Sequence, residues 1–376
     1  MIEIKDKQNC TGCTACEAIC PRRAITMKED SEGFLYPNVD ILLCVECGLC
    51  NKVCQMQSLS DAGVVRSSYA VKHTNSDVLR ESTSGGMFTA LSDAVLAKGG
   101  TVYGAAFDKD MTVRHVRAVN YVDRNRMRGS KYVQSDVRGC FRQVQADLRQ
   151  GKTVLFTGTP CQVDGLKRFL RGEVRGLICC DLICHGVPSP LILKEHFTLL
   201  RRKKRGNLVN YHFRPKKWGW HVHREIAVFE NGKQYYSTPY ADLWRNIYYG
   251  RLVNRPSCHS CRYTSLSRPG DLSIGDCRGI DNICPEFGSY DGVSLVLINT
   301  QIGQQIFEEI CDNLVVEKIN IDSVMQPPLR EASKPGNLRK RFWEAYDEKG
   351  YQSALSVCFG KLYSLKYWVK HLLRRG

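Results

Sequence analysis

Eight cysteines near the start of the chain repeat the spacing C-x2-C-x2-C-x3-C, and this duplication constrains the fold more than any other feature. The first run is Cys10, Cys13, Cys16 and Cys20, and the second is Cys44, Cys47, Cys50 and Cys54. This spacing is typical of a bacterial-type ferredoxin module with two [4Fe-4S] clusters, in which the fourth cysteine of each run binds the other cluster. The predicted ligand sets are therefore Cys10, Cys13, Cys16 and Cys54 for one cluster, and Cys44, Cys47, Cys50 and Cys20 for the other.

Disulfides and zinc are the alternatives for so many cysteines, and the duplicated eight-cysteine spacing argues against both. Small residues within the runs, such as Gly12 and Gly48, allow the backbone to wrap closely around a cluster. One position departs from the usual pattern, because Cys54 precedes Gln55 rather than a second proline. The pattern predicts a two-cluster module over residues 1–60.

Length and composition predict a cytoplasmic protein of two or three domains. The chain has 376 residues, of which 43% are hydrophobic, so it can form sizeable cores. It does not open with a signal peptide, and no apolar run approaches the roughly 20 residues that span a bilayer. Its 19 cysteines fit a reducing compartment, where thiols are free to bind metal.

The net charge of +16 is concentrated outside the cysteine module. Residues 1–60 contain 6 basic and 8 acidic residues (−2), and the rest contains 48 and 30 (+18). A basic body attracts nucleic acids, anionic lipids, acidic proteins or phosphorylated ligands. The densest basic run, residues 201–205, is also compatible with a solvated helix end. No nucleic-acid-binding motif accompanies it, so no nucleic acid partner is expected.

After a linker at residues 61–67, strands alternate with helices, which predicts an α+β chain whose body is a mixed α/β structure. The body divides into predicted parts at 61–180, 181–329 and 330–376. Predicted strands cover 68–72, 101–107, 113–119, 153–156, 177–183, 208–214, 222–230, 234–238, 271–276 and 292–300. Predicted helices cover 87–98, 137–150, 160–170, 190 to the basic run, 242–249 and 302–312.

The turn between the strand at 153–156 and the next helix has the composition of an anion site. Thr157, Gly158 and Thr159 precede Pro160, which suits the first helical position. Free N–H groups and the helix dipole would both point at this turn. An ordinary strand–helix connection is the alternative. The P-loop lysine and the dinucleotide-binding glycine spacing are both missing here, so the pattern predicts neither ATP nor NAD.

Four further cysteines lie at the ends of predicted elements, beside Gly, Pro or His. They are Cys161, Cys184, Cys258 and Cys261. A C-x2-C pair with two distant cysteines can form a third metal site, with either a [4Fe-4S] cluster or zinc. Unligated thiols are the alternative. His185 is a candidate general acid or a structural histidine. Five other cysteines are predicted to be small buried side chains, namely Cys140, Cys179, Cys180, Cys311 and Cys358.

The C-terminal part, residues 330–376, is basic, with 11 Lys or Arg and 4 Asp or Glu. Residues 361–375 are predicted to form a basic amphipathic helix with apolar residues roughly on one face. Such a helix can make peripheral contact with a membrane or a partner. Packing on the protein's own body is the alternative.

Several short motifs occur in an order that resembles one known family. They are Thr83-Ser84-Gly85-Gly86, Lys131-Tyr132-Val133-Gln134-Ser135, Gly158-Thr159-Pro160-Cys161-Gln162, Cys184-His185-Gly186 and Gly270-Asp271-Leu272-Ser273-Ile274-Gly275-Asp276. Together they resemble the beta subunit of coenzyme F-420 hydrogenases and dehydrogenases, from the cluster module to about Thr300. Relatives include a reductase of 7-hydroxymethyl chlorophyll and bacterial proteins found with polysaccharide-synthesis enzymes.

The resemblance implies an oxidoreductase that binds FAD as well as iron–sulfur clusters. It implies that the flavin is held by Ser84, Gly85, Gly86, Lys131, Gln134, Thr157, Gly158 and Thr159. Helix N-termini and a lysine suit a pyrophosphate and a flavin ring that is negatively charged when reduced. The resemblance also favours a body cluster at Cys161, Cys184, Cys258 and Cys261.

The implied partners are reduced ferredoxin or another redox protein, together with a deazaflavin-type or other conjugated small-molecule acceptor. One position departs from the family pattern, because Cys277 and Arg278 follow Gly275-Asp276 where two aromatic residues are expected. The acceptor pocket is altered if those rings stack on the flavin or the acceptor. Two hypotheses follow: an iron–sulfur flavoprotein reductase, or an electron-transfer subunit that docks on a hydrogenase, a dehydrogenase or a polysaccharide-biosynthesis enzyme.

Overall fold

The computed structural model describes residues 1–57, 63–172, 174–238, 242–288 and 290–360. Its helices are α1 (Ala15–Ile19), α2 (Leu49–Lys52), α3 (Ser76–Glu81), α4 (Met87–Ala97), α5 (Tyr121–Asn125), α6 (Cys140–Arg149), α7 (Pro160–Leu170), α8 (Pro190–Lys204), α9 (Leu243–Tyr249), α10 (Ile280–Ile283), α11 (Gln301–Ile310), α12 (Arg339–Lys349) and α13 (Tyr351–Phe359). Its strands are β1 (Ile25–Glu29), β2 (Leu35–Val39), β3 (Gly63–Val64), β4 (Ser67–His73), β5 (Thr101–Phe107), β6 (Val113–Ala118), β7 (Val154–Gly158), β8 (Leu177–Leu182), β9 (Leu208–His212), β10 (Ile226–Phe229), β11 (Gln234–Tyr236), β12 (Ser267–Arg268), β13 (Leu272–Asp276), β14 (Ser294–Ile298) and β15 (Leu314–Lys318).

The cysteine module is built from two short helices and one hairpin. Helices α1 and α2 each begin after a left-handed residue, Thr14 (φ 64°) and Gly48 (φ 72°). Strands β1 and β2 pair antiparallel, with Ile25 opposite Val39. The hairpin connects the two cysteine runs and brings their loops to the same end of the module.

The body is organised around an eight-stranded sheet in the order β15-β4-β14-β13-β8-β7-β5-β6. Its central strands β13, β8, β7 and β5 are parallel, and the outer pairings are antiparallel. Helices α4 and α11 cover one face of the sheet, and α6 and α7 pack on the other. The predicted mixed α/β body is confirmed.

The module is joined to the body through a shared apolar core. Ala15 and Val53 of the module are buried with Phe141 of α6 and Val163 of α7. A second body core combines α8, α9, α12 and α13 with the antiparallel sheet β11-β10-β9. The apolar area that Ala15 and Val53 bury against α6 and α7 favours one fixed arrangement of module and body.

The predicted element positions need several corrections. Helix α6 begins at Cys140 rather than at 137, because Gly139 has a left-handed φ of 75°. Strand β10 begins at Ile226 rather than at 222. The elements that were not predicted are β1, β3, β12 and β15 among the strands, and α1, α2, α3, α5, α10, α12 and α13 among the helices. The predicted boundary at residue 180 lies inside β8, and the sheet takes strands from both sides of it.

Two predicted features of the C-terminal part have different outcomes. Helices α12 and α13 pack through Phe342, Trp343 and Tyr351 against the core of the antiparallel sheet. The predicted helix at 361–375, with its proposed membrane contact, lies outside the described residues. Among the described helices, none has the length and apolar character needed to cross a bilayer.

We expect Asp181→Asn to lower the free energy of unfolding by about 3–5 kcal/mol, because it leaves a buried arginine without its counter-charge. Asp181 is fully buried beside Arg268, which is 1% exposed and donates from Nε to Asp181 Oδ1 at 3.2 Å. Chemical denaturation of the metal-free chain measures the change. As a control, Asp77→Asn breaks an exposed pair with Arg80 and should cost at most about 1 kcal/mol. Equal losses in the two variants would contradict the prediction.

Candidate functional site

A cavity lies at the carboxyl ends of the parallel strands, where α/β folds usually bind ligands. Its volume is about 280 Å³, just under the roughly 300–1,000 Å³ typical of ligand pockets. Strand ends contribute Thr157 and Gly158 from β7 and Asp276 from β13, and the start of α4 contributes Gly86 and Met87. We call this the sheet-end cavity.

Most of the residues predicted to bind flavin line this cavity. Those that do are Ser84, Gly86, Lys131, Thr157, Gly158 and Thr159. Gly85 instead packs on the sheet, since a Cβ there would lie 2.0 Å from the carbonyl oxygen of Val71. Its N–H donates to Ser294 Oγ at 2.9 Å. The predicted role of Gly85 is therefore corrected from ligand contact to close backbone approach.

Gln134 also needs a correction, because its side chain faces the cysteine module. Its Nε2 donates to the carbonyl oxygen of Thr11 at 2.9 Å. Its Oε1 accepts from Arg255 at 3.1 Å. Both polar ends of the amide are thus used at the module–body junction, away from the sheet-end cavity.

The helix start predicted to bind an anion at α7 is largely satisfied from within the chain. Thr159 N–H donates to Gln162 Oε1 at 2.9 Å, and Pro160 has no N–H. The start of α4 differs, because Gly86 is its N-cap and provides no side chain to cap it. The first N–H groups of α4 have no partner within the helix. The better anion site therefore lies at α4.

Unpartnered buried atoms at the cavity indicate a polar ligand. Thr89 Oγ1 and Arg128 Nε are buried, line the cavity and have no hydrogen-bond partner in the structure. A buried polar atom without a partner is costly. Sequence patterns missed both residues, since Thr89 lies in an ordinary amphipathic helix and Arg128 in a loop.

Histidine and tyrosine side chains complete the walls. His115 Nε2 donates to the carbonyl oxygen of Thr157 at 2.9 Å, its Nδ1 accepts from Ser135 Oγ at 2.9 Å, and burial lowers its pKa to about 4. Arg278 lines the cavity, whereas Cys277 is buried in a core. Aromatic rings come from Tyr248 and Tyr249 of α9, which the sequence motifs did not indicate.

A second cavity is lined by all four of the body cysteines singled out from the sequence, Cys161, Cys184, Cys258 and Cys261. We call it the body-cysteine cavity. Burial raises the pKa of Cys184 to about 11 and that of Cys258 to about 12. Gly186 N–H points at Cys184 Sγ (3.4 Å) and Val187 N–H at Cys258 Sγ (3.4 Å). Donors of this kind stabilise sulfur that carries negative charge.

The eight module cysteines are also grouped across the two runs. Cys20 lines one small cavity together with Cys44, Cys47 and Cys50. On the other side, burial raises the pKa of Cys13 to about 11, with smaller contributions from Cys10 and Cys54. These are the crossed groupings that the spacing predicts.

In the described part of the chain, no group of three or more His, Cys, Asp or Glu side chains is arranged to hold one metal ion. Zinc needs its sulfurs about 2.3 Å from one centre. A four-iron cluster presents a separate iron atom to each thiolate, so its ligands stand farther apart.

The loop at 184–187 separates the two body cavities. Cys184, His185, Gly186 and Val187 line both the sheet-end cavity and the body-cysteine cavity. Burial lowers the pKa of His185 to about 4, so this ring is neutral at pH 7. We call this loop the shared wall.

Two parts of the chain match known protein families. Residues 151–324 match the family described as the C terminus of the coenzyme F420 hydrogenase/dehydrogenase beta subunit. Residues 9–58 match a 4Fe-4S dicluster domain. The body of this chain thus carries the C-terminal domain of the coenzyme F420 hydrogenase/dehydrogenase beta subunits, and its module is a 4Fe-4S dicluster domain. The resemblance seen in the short motifs is confirmed, as is the prediction of [4Fe-4S] clusters in the module.

Individual relatives span most of the chain or only its module. The F(420)H(2) dehydrogenase subunit designated F, from Methanosarcina mazei, is 23% identical over 373 residues, covering 94% of this chain and 97% of the relative. The NADH-quinone oxidoreductase subunit designated I 2, from Geobacter metallireducens, is 34% identical over 62 residues, or 15% of this chain and 47% of the relative. A chain of the xenon-derivatised F420-reducing [NiFe] hydrogenase complex from Methanosarcina barkeri has 20% identity and a TM-score of 0.47, covering 78% of this chain and 92% of its own length.

The family assignment gives the chain an iron–sulfur module joined to a beta-subunit body. Lys131 is one of the basic residues that line the sheet-end cavity, and it is half-buried. Its Nζ donates to the carbonyl oxygens of Met127 and Arg128, each at 2.8 Å, and of Arg126 at 3.2 Å. Burial lowers its pKa from 10.5 to about 7. A negatively charged ligand would favour the protonated form.

We expect Lys131→Met to flatten the pH dependence of stability of the ligand-free chain between about pH 7 and 10. In that window the unfolded state binds a proton that the folded state has released, so the contribution of Lys131 to stability rises with pH. Urea unfolding at several pH values measures the slope. The exposed Lys194→Met is the control and should leave the slope unchanged. A slope that survives in Lys131→Met would contradict the prediction.

Proposed function

We propose that this chain is an iron–sulfur flavoprotein oxidoreductase that passes electrons between ferredoxin-type clusters and a two-electron acceptor through bound FAD. The shared wall carries this proposal, because its four residues border both the sheet-end cavity and the body-cysteine cavity. A flavin in the first cavity and a cluster in the second would be separated by one loop. Such proximity favours direct electron transfer between them.

The sheet-end cavity has the groups that a flavin dinucleotide needs. The uncapped start of α4 suits the pyrophosphate, and Thr89 Oγ1 is a buried polar atom that lacks a partner. Arg128 and Lys131 supply positive charge for a ligand that gains negative charge on reduction. A bound flavin exchanges electrons singly with iron–sulfur clusters and in pairs with an organic acceptor.

We further propose that Cys161, Cys184, Cys258 and Cys261 hold a third [4Fe-4S] cluster. They line one cavity, and their buried thiols would ionise when they bind metal. Gln55 links this site to the module, since its Nε2 donates to Thr11 Oγ1 at 2.6 Å and to the carbonyl oxygen of Cys161 at 3.0 Å. Glutamine in place of the usual proline thus connects two proposed ligand loops.

We expect Cys184→Ser to remove about four irons per chain from the anaerobically reconstituted protein, from about twelve to about eight. Iron and sulfide analyses measure the change. Cys180→Ser is the matched control, because Cys180 is buried in strand β8 a few residues earlier and outside the cavity. About eight irons in the wild type, or no loss in Cys184→Ser, would contradict the third cluster.

The second cysteine run offers a route for electrons to enter or leave. Cys47 is exposed, and the apolar side chains of Ile41, Leu42, Leu43 and Val45 around it are exposed too, with Leu42 at 91%. Grouped exposed apolar residues mark interaction sites. Small docking areas suffice for transient electron transfer. We propose that reduced ferredoxin or another redox protein docks here.

We expect Leu42→Glu to slow reduction of the clusters by reduced ferredoxin about tenfold, while reduction by dithionite stays unchanged. A carboxylate in the apolar contact must lose its water on docking, which weakens the complex with ferredoxin. A tenfold effect corresponds to a free-energy cost of about 1.4 kcal/mol. Stopped-flow absorbance measures both rates. The control is Val122→Glu, which places the same charge at another exposed apolar site, in α5. Equal rates in Leu42→Glu and the wild type would locate docking elsewhere.

The acceptor we propose is a deazaflavin or another conjugated small molecule, and electrons can flow in either direction. A deazaflavin agrees with the name of the Methanosarcina mazei relative. Arg278 stands where the family pattern has an aromatic ring, and it lines the cavity. This substitution favours an acceptor with an anionic group near Arg278.

A non-catalytic electron-transfer subunit is the second candidate. The similar chain in Methanosarcina mazei is named as part of a dehydrogenase. The exposed apolar side chains near Cys47 would suit a hydrogenase, a dehydrogenase or a polysaccharide-biosynthesis enzyme as partner. The deciding experiment purifies the chain without oxygen, counts flavin and iron, and supplies reduced ferredoxin with a deazaflavin. Bound flavin and turnover by the chain alone support the reductase. Absence of flavin after reconstitution contradicts it.

A further inference from the structure

Arg255 is a buried cation at the junction of module and body. Its residue is 1% exposed. The guanidinium donates from Nε to the carbonyl oxygen of Cys10 at 2.8 Å and from Nη2 to that of Leu35 at 2.9 Å. Nη1 donates to Gln134 Oε1 at 3.1 Å. All three of these acceptors are neutral.

The other buried arginines of the body have a carboxylate partner. Arg268 pairs with Asp181, Arg214 pairs with Asp276, and Arg124 pairs with Asp93. Within the described ranges, Arg255 has no ion pair with Asp or Glu. A buried charge without a counter-charge costs several kcal/mol, so the fold needs an anion near this guanidinium.

On the module side, the nearest group that would become anionic on binding a cluster is the sulfur of Cys10. Arg255 Nη2 lies 3.6 Å from Cys10 Sγ. The guanidinium also packs against Gly12 so closely that a Cβ there would lie 2.7 Å from Nη1. The rings of Tyr36 and Phe34 face it at 4.3 and 5.3 Å and add a cation–π attraction. These contacts fix the cation against the first cysteine loop.

The same residue borders the body-cysteine cavity. Arg255 lines that cavity together with Cys184 and Cys258. Its backbone N–H donates to the carbonyl oxygen of Val187 at 3.0 Å, and its own carbonyl accepts from Cys258 N–H at 2.9 Å. Arg255 is therefore tied to the proposed ligand loops of two different clusters.

We propose that Arg255 is the shared counter-cation of the Cys10 cluster and the body cluster, and that it raises the reduction potential of both. This inference rests on the proposed clusters. A cluster held by four thiolates is anionic and becomes more so when it accepts one electron. A fixed positive charge stabilises the reduced form more than the oxidised form, and net charge and hydrogen bonds at sulfur set cluster potentials. No proton needs to move with the electron.

The test is a redox titration of the reconstituted full chain. Electron paramagnetic resonance of the reduced clusters measures how far each cluster is reduced at each potential. We expect Arg255→Gln to make the potentials of both the Cys10 cluster and the body cluster more negative, with each equilibrium between reduced and oxidised forms changed about tenfold, which corresponds to about 59 mV for one electron. A shift in only one of the two potentials would contradict the shared role. Arg255→Lys, which keeps the charge, should stay within about threefold of the wild type, or about 28 mV.

A matched control separates the effect of the Arg255 charge on the cluster potentials from the effect of loosening the contact between module and body. Arg339 also joins body to module, because it pairs with Glu32 and donates to the carbonyl oxygen of Asn254 at 3.1 Å. Its charge is already balanced, so Arg339→Gln should leave the cluster potentials unchanged. Equal shifts in Arg255→Gln and Arg339→Gln would overturn the proposal, and so would unchanged potentials in Arg255→Gln.

The iron content of each variant shows whether its clusters assemble, which decides the cases in which no potential can be measured. If Arg255→Gln fails to assemble the Cys10 cluster or the body cluster while Arg255→Lys assembles both, a positive charge at position 255 is needed for cluster assembly, which supports the proposal. If both variants lose the same cluster, Arg255 has a structural role and the proposal is wrong. A wild-type chain that binds no iron would instead contradict the proposed function itself.

Discussion

The close packing of a cysteine loop on one helix determines the rest of the arrangement. Gly165 lies inside α7, where glycine costs about 1 kcal/mol relative to alanine. A Cβ at this position would lie 2.8 Å from Cys13 Cβ and 3.0 Å from Cys13 Sγ. Cys161 stands four residues earlier on α7, hence on the same face. One face of one helix thus carries a body cysteine and accepts a module cysteine one turn later.

The distribution of charge follows from this packing. Bringing the two cysteine sites together would concentrate negative charge if both bind the proposed clusters, so the polar groups between them matter. Arg255 contacts Cys10, and Gln55 joins Thr11 to the carbonyl oxygen of Cys161. The Tyr263 hydroxyl lies between two acceptors, Asp164 Oδ2 at 2.6 Å and Gln55 Oε1, which confines the amide. The junction thus places one cation, Arg255, against a cysteine sulfur and ties the adjoining cysteine loops together through the Gln55 amide.

The sequence predicted best those features that are local. The spacing of the cysteine runs indicates the crossed groups, and the small residues at Thr157–Thr159 mark the end of a strand at the cavity. Thr89, Arg128 and Tyr249 escaped prediction, because each is brought to the cavity by a different element and no spacing records that convergence. Gln134 was misassigned for the same reason, since its motif is near the cavity while its side chain faces Thr11.

The shared wall explains why one geometry supports both candidate functions. Gly186 has a φ of 103°, and a Cβ there would lie 2.7 Å from Asn254 Nδ2 and 3.3 Å from Cys258 Cβ. Glycine suits this tight turn, which keeps the wall between the two cavities one loop thick. An electron passing between the proposed flavin and the proposed body cluster would cross only this loop. A relay protein and a reductase can therefore share every residue up to the wall and differ only in what reaches the open side of the sheet-end cavity.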